Sequence, residues 1–269
     1  MEREWNCKSY DGTKLYMVCN EVKEPKAVVV LVHGLCEYAG RYDHVTERLC
    51  ADGYRVYRFD HRGHGRSEGK MTYYSDCMEI GEDVRVVVEL AKSENPDKKI
   101  YIVGHSMGGH ATALYATRYP GMVDGCVLLG AITRQSTAKE GDFPIPLPEE
   151  VYLDNEFKEG LCSDPRVLEI YLDDPYVKTK ISVGLLNRVW EGTNFLREHA
   201  AEFVDPVLML HGCKDGIVSE RDSREMYGEI SSEDKTLKIY AGLCHELLNE
   251  PCKDEIIDEI LLWLNRHVG

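Results

Sequence analysis

Apolar residues in this chain follow two rhythms, and the alternation between them predicts the architecture. Ala27-Val28-Val29-Val30-Leu31-Val32 is an unbroken apolar run. A strand of that kind is buried on both faces, as the central strands of a parallel sheet are. Ile100 to Val103, Cys126 to Leu129 and Val207 to Leu210 repeat the pattern, and Tyr54 to Asp60 and Lys235 to Tyr240 read as further strands. Between them the apolar positions take helical spacing: Tyr42, Val45 and Leu49, then Ile80, Val84, Val87, Val88 and Ala91, and finally Ile256, Ile257, Ile260, Leu261 and Leu264. At the N-terminus, Cys7 to Tyr10 and Lys14 to Cys19 flank Asp11-Gly12 and predict a hairpin whose two central residues take positive φ. Strands alternating with helices predict the α/β class, with a mostly parallel, doubly wound sheet of about eight strands.

The rhythm breaks at Gly130. From 131 to 200 no strand pattern is visible, Pro144-Ile145-Pro146-Leu147-Pro148 excludes a regular helix, and shorter helical patterns such as Ile181 to Val189 follow. The expected organisation is a core domain of residues 1–130 and 201–269, interrupted by an inserted, largely helical lid of residues 131–200. Insertions of this kind fit where the C-terminal ends of the strands carry a site. No apolar run reaches the roughly 18 residues that a membrane-spanning helix requires.

Candidate chemistry is concentrated at strand ends. Gly104-His105-Ser106-Met107-Gly108 lies between a strand and a helix pattern, the setting of a nucleophile elbow. Such a turn needs small residues at both flanks, lifts the serine hydroxyl off the sheet edge and points the next amide into the space above it. A serine hydroxyl needs a base, and the base needs a carboxylate that fixes its tautomer. In this topology they follow the serine in the order acid, then histidine, each in a loop after a strand. Asp215, in His211-Gly212-Cys213-Lys214-Asp215, and His245, in Ala241-Gly242-Leu243-Cys244-His245, meet that requirement. Ser106 is therefore the expected nucleophile, His245 the base and Asp215 the acid, with the amides of Leu35 and Met107 as the oxyanion hole. His211 reads as a loop-ordering histidine, and His105 as a packing residue inside the elbow. Asp205, before its strand, and Asp222, in the following helix, are the weaker candidates for the acid. The loop Asp60 to Lys70 imitates phosphate-binding motifs. His64 stands where a Walker loop needs glycine, however, and Glu68 where the dinucleotide fingerprint does.

Composition narrows the class further. Asp and Glu outnumber Lys and Arg by 47 to 32, a formal net charge of −15. That charge argues against nucleic-acid partners and against docking on anionic lipid. Ten scattered cysteines without a C-x-x-C pair suit reduced thiols in a cytosol and give no thiolate zinc site. The charged N-terminus has no apolar segment behind it, so no signal peptide is visible. The expectation is a cytoplasmic enzyme without metal or cofactor.

With these residues placed, the chain resembles the monoacylglycerol lipase and lysophospholipase branch of the α/β-hydrolases, sometimes grouped with serine aminopeptidases. The matching pieces are His33-Gly34 followed by Glu37 and Gly40-Arg41-Tyr42, then Asp60 to Gly69, Gly104 to Gly109, His211-Gly212 before Asp215, and Lys235 to Tyr240 leading to His245. The resemblance implies the α/β-hydrolase fold and a cytosolic or peripheral serine hydrolase without cofactor, whose lid forms an apolar acyl tunnel and touches membranes at most transiently. It also implies that the loop of Glu37 and Arg41 lines a polar pocket for the alcohol part of an ester substrate. Phe143, Ile145, Leu147, Leu185, Leu186, Trp190 and Phe195 are the lid residues expected to meet a lipid. Glu149, Glu150, Asp154, Glu156 and Glu159 would instead suit an aminopeptidase, by holding a substrate amine. A binding protein without chemistry would not need the serine, acid and histidine set.

Overall fold

The computed structural model describes residues 1–139 and 141–269. In chain order the described residues form β1 (Glu2–Lys8), β2 (Lys14–Asn20), β3 (Ala27–Val32), α1 (Asp43–Ala51), β4 (Tyr54–Phe59), α2 (Glu79–Glu94), β5 (Ile100–His105), α3 (Met107–Arg118), β6 (Gly125–Leu129), β7 (Tyr152–Asp154), α4 (Pro165–Asp173), β8 (Lys180–Ser182), α5 (Val183–Glu198), β9 (Val207–Gly212), α6 (Glu220–Glu229), β10 (Lys235–Tyr240) and α7 (Lys253–Val268). Eight strands make one sheet in the order β1-β2-β4-β3-β5-β6-β9-β10. The pairs of β2 with β1 and β4 are antiparallel, and the rest are parallel. This is the α/β-hydrolase fold.

The unbroken apolar runs are explained by two separate cores. Val28, Val30 and Val32 of β3 face α2 and α3, while Ala27, Val29 and Leu31 face α1 and α7. Alternate residues of β5, β6 and β9 divide in the same way. A strand sandwiched between helices has no wet face, so period-two patterning is absent from its sequence. Strand β10, at the sheet edge, does alternate between half-buried and exposed positions over Lys235 to Lys238.

Two expectations need correction. The N-terminal hairpin is real, but β1 and β2 pair from Lys8 with Lys14, which leaves residues 9–13 as its connection. Of the two central residues Gly12 alone has positive φ, and Asp11 instead accepts the Thr13 amide through its side chain (3.0 Å). The segment after β6 is not strand-free either: β7 and β8 pair antiparallel as a small ribbon. Three residues per strand are too few for a period to show in sequence. This segment leaves the sheet between β6 and β9, which are hydrogen-bonded neighbours.

The turn from β5 to α3 is the tightest point of the fold. Ser106 has φ 54° and ψ −117°, outside the usual range of a residue with a side chain. A Cβ at Gly104 would lie 2.4 Å from the Gly108 carbonyl oxygen, and one at Gly108 would lie 2.1 Å from the Val32 carbonyl oxygen. The turn closes only because both positions lack side chains. Its strain, on the order of 1–3 kcal/mol, is held by the Ser106 amide bonding Leu129 O (2.8 Å) and the His110 amide bonding Ser106 O (3.0 Å).

A cluster of neutral histidines supports the next strand end. The His61 amide donates to His33 Nε2 (2.8 Å), so His33 Nδ1 carries the proton it gives to Gly34 O (2.7 Å). His64 Nδ1 meets Arg62 O (3.0 Å), and Tyr74 OH meets His61 Nδ1 (3.2 Å). Burial pushes His33 and His110 down to about 4, His64 to about 3, and His61 well below its ordinary value.

Two expectations follow for the folded state. Below about pH 6.5 the unfolded chain takes up protons that these four histidines refuse, at roughly 1.4 kcal/mol per histidine per pH unit until the folded values are reached. Asp205, which burial raises to about 6, and His105, which Glu37 raises, oppose this, as do Asp60 and Asp83, which burial also raises; the expectation is that the four histidines prevail. Thermal melts should therefore show Tm falling between pH 7.5 and 5.5, and a level or rising Tm would refute the neutral cluster. Gly108→Ala should cost roughly 3 kcal/mol or more by overpacking the elbow against β3, seen as a lower urea midpoint. An unchanged midpoint would mean that α3 sits farther from β3.

Candidate active site

The three side chains expected to carry the chemistry come from three different strand ends. Ser106 leaves β5, Asp215 follows β9 and His245 follows β10. His245 Nδ1 lies 2.7 Å from Asp215 Oδ2, so the ring proton sits on Nδ1 and Nε2 is left free to accept one. Asp215 is fully buried. Its Oδ1 accepts the amides of Ile217 (2.9 Å) and Val218 (2.8 Å), and its Oδ2 also lies 3.0 Å from His211 Nε2. Burial pushes the Asp215 carboxyl up, but His245 and His211 outweigh burial and hold it well below the ordinary carboxylate range. His211 is thus more than a loop-ordering residue, because it shares the acid with His245. Its Nε2 also faces Val218 O (3.0 Å), so that nitrogen carries the proton, and the Ser223 hydroxyl donates to Nδ1 (2.8 Å).

Ser106 and His245 line the same small cavity of about 30 Å³, together with Leu35, Glu37, His105, Tyr171 and Glu246. Between the Ser106 hydroxyl and the His245 ring the described residues form no hydrogen bond. Both side chains face that cavity. Gly130, with φ 50°, passes beneath the pair, and a Cβ there would lie 3.2 Å from His245 Nδ1 and 3.3 Å from Asp215 Oδ2. Gly34 brings the end of β3 up to the serine: its Cβ would sit 3.1 Å from that of Ser106. Leu35 follows in this loop. Met107 is the first residue of α3, so its amide has no intrahelical acceptor.

The resemblance pointed to Glu37 and Arg41, but the row of buried charges that they form with His105 and Glu246 was not visible in the sequence. Arg41 bonds both oxygens of Glu246 (2.7 and 2.8 Å) and Oε2 of Glu37 (2.8 Å). Glu37 Oε1 accepts the Gly34 amide (2.6 Å) and the Tyr42 hydroxyl (2.7 Å), and lies 3.1 Å from His105 Nδ1. His105 Nε2 meets the His245 backbone carbonyl (3.3 Å), and the two rings are 4.7 Å apart. Burial alone would lower the His105 pKa, but Glu37 raises it above the ordinary value. Burial likewise raises the Glu37 carboxyl, and His105 and Arg41 reverse that. Both ring nitrogens of His105 face acceptors, and Glu37 favours its charged form, so it is a hydrogen-bonded member of this row rather than a packing residue. Its partners lie 68 and 140 positions away, and no local pattern announces them.

A second, larger cavity of about 290 Å³ adjoins the first, sharing Leu35, Ile132, Phe157 and Ile217 with it. Of the apolar residues expected to meet a lipid, Phe143, Leu185 and Leu186 line this space. Trp190 instead stacks on Phe143 at 6.4 Å, and Leu147 is exposed. The expected acidic run lies elsewhere: Glu149 is engaged by Tyr73 and Arg188, Asp154 by Lys180, and none of its five residues lines either cavity.

The segment between β6 and β9 is stitched to both loops that hold the acid and the base. Gly160 O accepts the amides of His245 (3.0 Å) and Gly216 (3.3 Å), and Leu161 O accepts that of Glu246 (2.8 Å). Glu250, fully buried, accepts the amides of Cys244 (2.8 Å) and Ser163 (3.2 Å) and joins the Ser163 hydroxyl. Among the described residues no group of three or more His, Cys, Asp or Glu could hold a metal ion, and no helix is long and apolar enough to cross a membrane.

Comparison with known proteins agrees with this geometry. A sequence profile of the family described as serine aminopeptidase, S33 matches residues 23–252. The chain is 35% identical over 264 residues to a monoacylglycerol lipase of Mycolicibacterium smegmatis, covering 94% of this chain and 93% of that one. Human monoglyceride lipase is 28% identical, with 94% and 88% covered. The crystal structure of a monoacylglycerol lipase from Paleococcus ferrophilus superposes with a TM-score of 0.85 at 30% identity, covering 94% of this chain and 99% of that one. The extent of these matches, over a fold whose strand ends carry a serine, a buried acid and a histidine, makes this chain a member of the serine aminopeptidase S33 family of α/β-hydrolases and a carboxylic-ester hydrolase.

Proposed function

We propose that the enzyme hydrolyses monoacylglycerols, or closely similar esters of medium to long acyl chains with small polar alcohols. The observation that carries this reading is an apolar cavity of about 290 Å³ adjoining a smaller one of about 30 Å³ that also holds Glu37 and Glu246, the two meeting where Leu35 and Ile132 line both. Ser106 lines the smaller. An acyl chain fits the larger space, and only a small alcohol suits the smaller. The carboxylates at the small end, Glu37 and Glu246, are already matched by Arg41 and His105, so it offers polarity without a free charge. Residues 131–200 act as the lid that roofs the larger cavity, and the row of Glu37 and Arg41 shapes the alcohol end. A second reading, an aminopeptidase, is less favoured, because among the described residues Glu149, Glu150, Asp154, Glu156 and Glu159 lie outside both cavities.

In the reaction, Ser106 Oγ attacks the ester carbonyl carbon while His245 Nε2 takes its proton. Asp215 keeps the imidazole in the tautomer that can do so. The amides of Leu35 and Met107 hold the oxyanion, each removal costing roughly 3–4 kcal/mol. Collapse breaks the bond to the alcohol, which leaves with the proton from His245. Water then attacks the acyl-Ser106 ester, gives a proton to His245, and the fatty acid departs as Ser106 regains its hydrogen. All ten cysteines are free, which supports a cytoplasmic site of action with no more than passing membrane contact through the lid.

A fluorophosphonate should label Ser106 in the folded protein and should not label Ser106→Ala; folded protein that resists labelling would refute the nucleophile. On p-nitrophenyl esters kcat/KM should rise from acetate to decanoate, and activity confined to acetate and butyrate would count against an acyl cavity. Asp215→Asn should lower kcat by about 10⁴-fold with the fold intact, measured by steady-state kinetics beside circular dichroism. A loss of under tenfold would remove Asp215 from the proposed role.

A further inference from the structure

The loop that opens the segment after β6 is built around a buried anion. The backbone amides of residues 133–136 all point at one carboxylate, that of Asp222 in the first turn of α6. Its Oδ2 accepts the amides of Thr133 (3.1 Å), Arg134 (2.9 Å) and Gln135 (2.9 Å), and its Oδ1 accepts the amide (2.9 Å) and hydroxyl (2.6 Å) of Ser136. The Thr133 hydroxyl donates to the Asp222 carbonyl (2.9 Å), and Arg197 at the end of α5 donates to Arg134 O (3.0 Å). Successive amides curled about an anion form a nest. The curl requires a left-handed residue, and Gln135 supplies it with φ 47°, although it is not glycine. Asp222 is 1% exposed, and among the described residues it makes no ion pair. The dipoles of the nest and the N-terminus of α6 balance its charge.

Beyond the nest the chain becomes one wall of the larger cavity, through Thr137, Ala138, Asp142 and Phe143. Between Ala131 and Val151 the described residues form no helix or strand; past the nest the backbone is held by local turns, the Ala138 amide on Gln135 O (2.9 Å) and the Asp142 amide on Lys139 O (3.1 Å), until the Ile145 amide reaches Asn187 (2.7 Å). We propose that Asp222 is a positioning residue for the acyl chain: by filling the nest it sets the wall of Ile132, Thr137, Ala138 and Phe143 and so decides which chain lengths the enzyme accepts. The inference rests on reading the larger cavity as the acyl site. Emptying the nest releases the strained turn and lowers the fraction of molecules whose wall is in place. Apparent affinity falls by that same fraction, and only for chains long enough to reach the wall.

Asp222→Asn turns an amide NH₂ or a poorer acceptor toward donors. It should raise KM for p-nitrophenyl decanoate about tenfold, if about a tenth of the molecules keep the wall in place. The kcat for that ester, and kcat/KM for the acetate, should stay within about twofold. The rate at which a fluorophosphonate labels the nucleophile should not change. In Asp222→Ala, added formate should fill the emptied nest and bring the decanoate KM back saturably, with no effect on acetate hydrolysis. Equal losses on both esters would overturn the proposal, since they point to damage at the triad through Ser223 and His211, or to general unfolding. Unchanged decanoate kinetics would overturn it too. If the Asn and Ala variants do not fold, Ser136→Ala, which removes only the 2.6 Å hydroxyl donor, should shift decanoate KM in the same direction, and no shift would sink the idea. Wild-type enzyme with no preference for decanoate over acetate would overturn the acyl reading itself; a preference that survives Asp222→Asn would overturn only the role given to Asp222.

Discussion

The structure turns on how closely α3 can approach β3. The Gly108 α-carbon sits so near the Val32 carbonyl that a methyl group would not fit, and Gly104 meets Gly108 O and Thr112 with no more room. That approach puts Ser106 in a conformation seldom taken by residues with side chains, at the top of a sheet whose strand ends supply everything else. It also places Gly34 against the serine, and with it the loop that offers the Leu35 amide. The strain at one residue is tolerable because the sheet beneath is buried on both faces and does not yield.

Charge inside the molecule follows a different rule from charge on its surface. The buried carboxylates around the site are each matched: Asp215 by two histidines and two amides, Glu37 and Glu246 by Arg41, Asp222 by a curl of amides, and Glu250 by the amides of Cys244 and Ser163. A buried charge without such partners would neutralise itself. The partners span elements far apart in the chain, so each carboxylate also ties one loop of the site to another. Glu37 joins the β3 loop to the elbow through His105, and Glu250 joins the loop of His245 to the segment between β6 and β9.

That segment accordingly has two kinds of attachment. Near residues 160–163 it is bonded to the loops of the acid and the base, and these contacts share atoms with the site. Near residues 133–136 it hangs on Asp222 and carries the cavity wall beyond it. The cavity wall and the catalytic geometry are therefore supported by separate sets of bonds on the same excursion.

The sequence by itself determined the α/β class, the doubly wound sheet, the elbow and the order of serine, acid and histidine along the chain. Those features rest on local pattern: buried runs between helices, glycines at a fixed spacing, and loops just past strand ends. It misjudged the hairpin connection and the β7–β8 ribbon, where the elements are too short for periodicity, and it read His105 and His211 too modestly. Only the tertiary structure decided that His105 is a hydrogen-bonded member of a row with Glu37 and Arg41, that His211 shares Asp215 with His245, and that Asp222 anchors a loop rather than serving as an acid. The reason is physical: a buried polar side chain takes its role from whichever partner folding brings within about 3 Å, and those partners lie tens to hundreds of residues away.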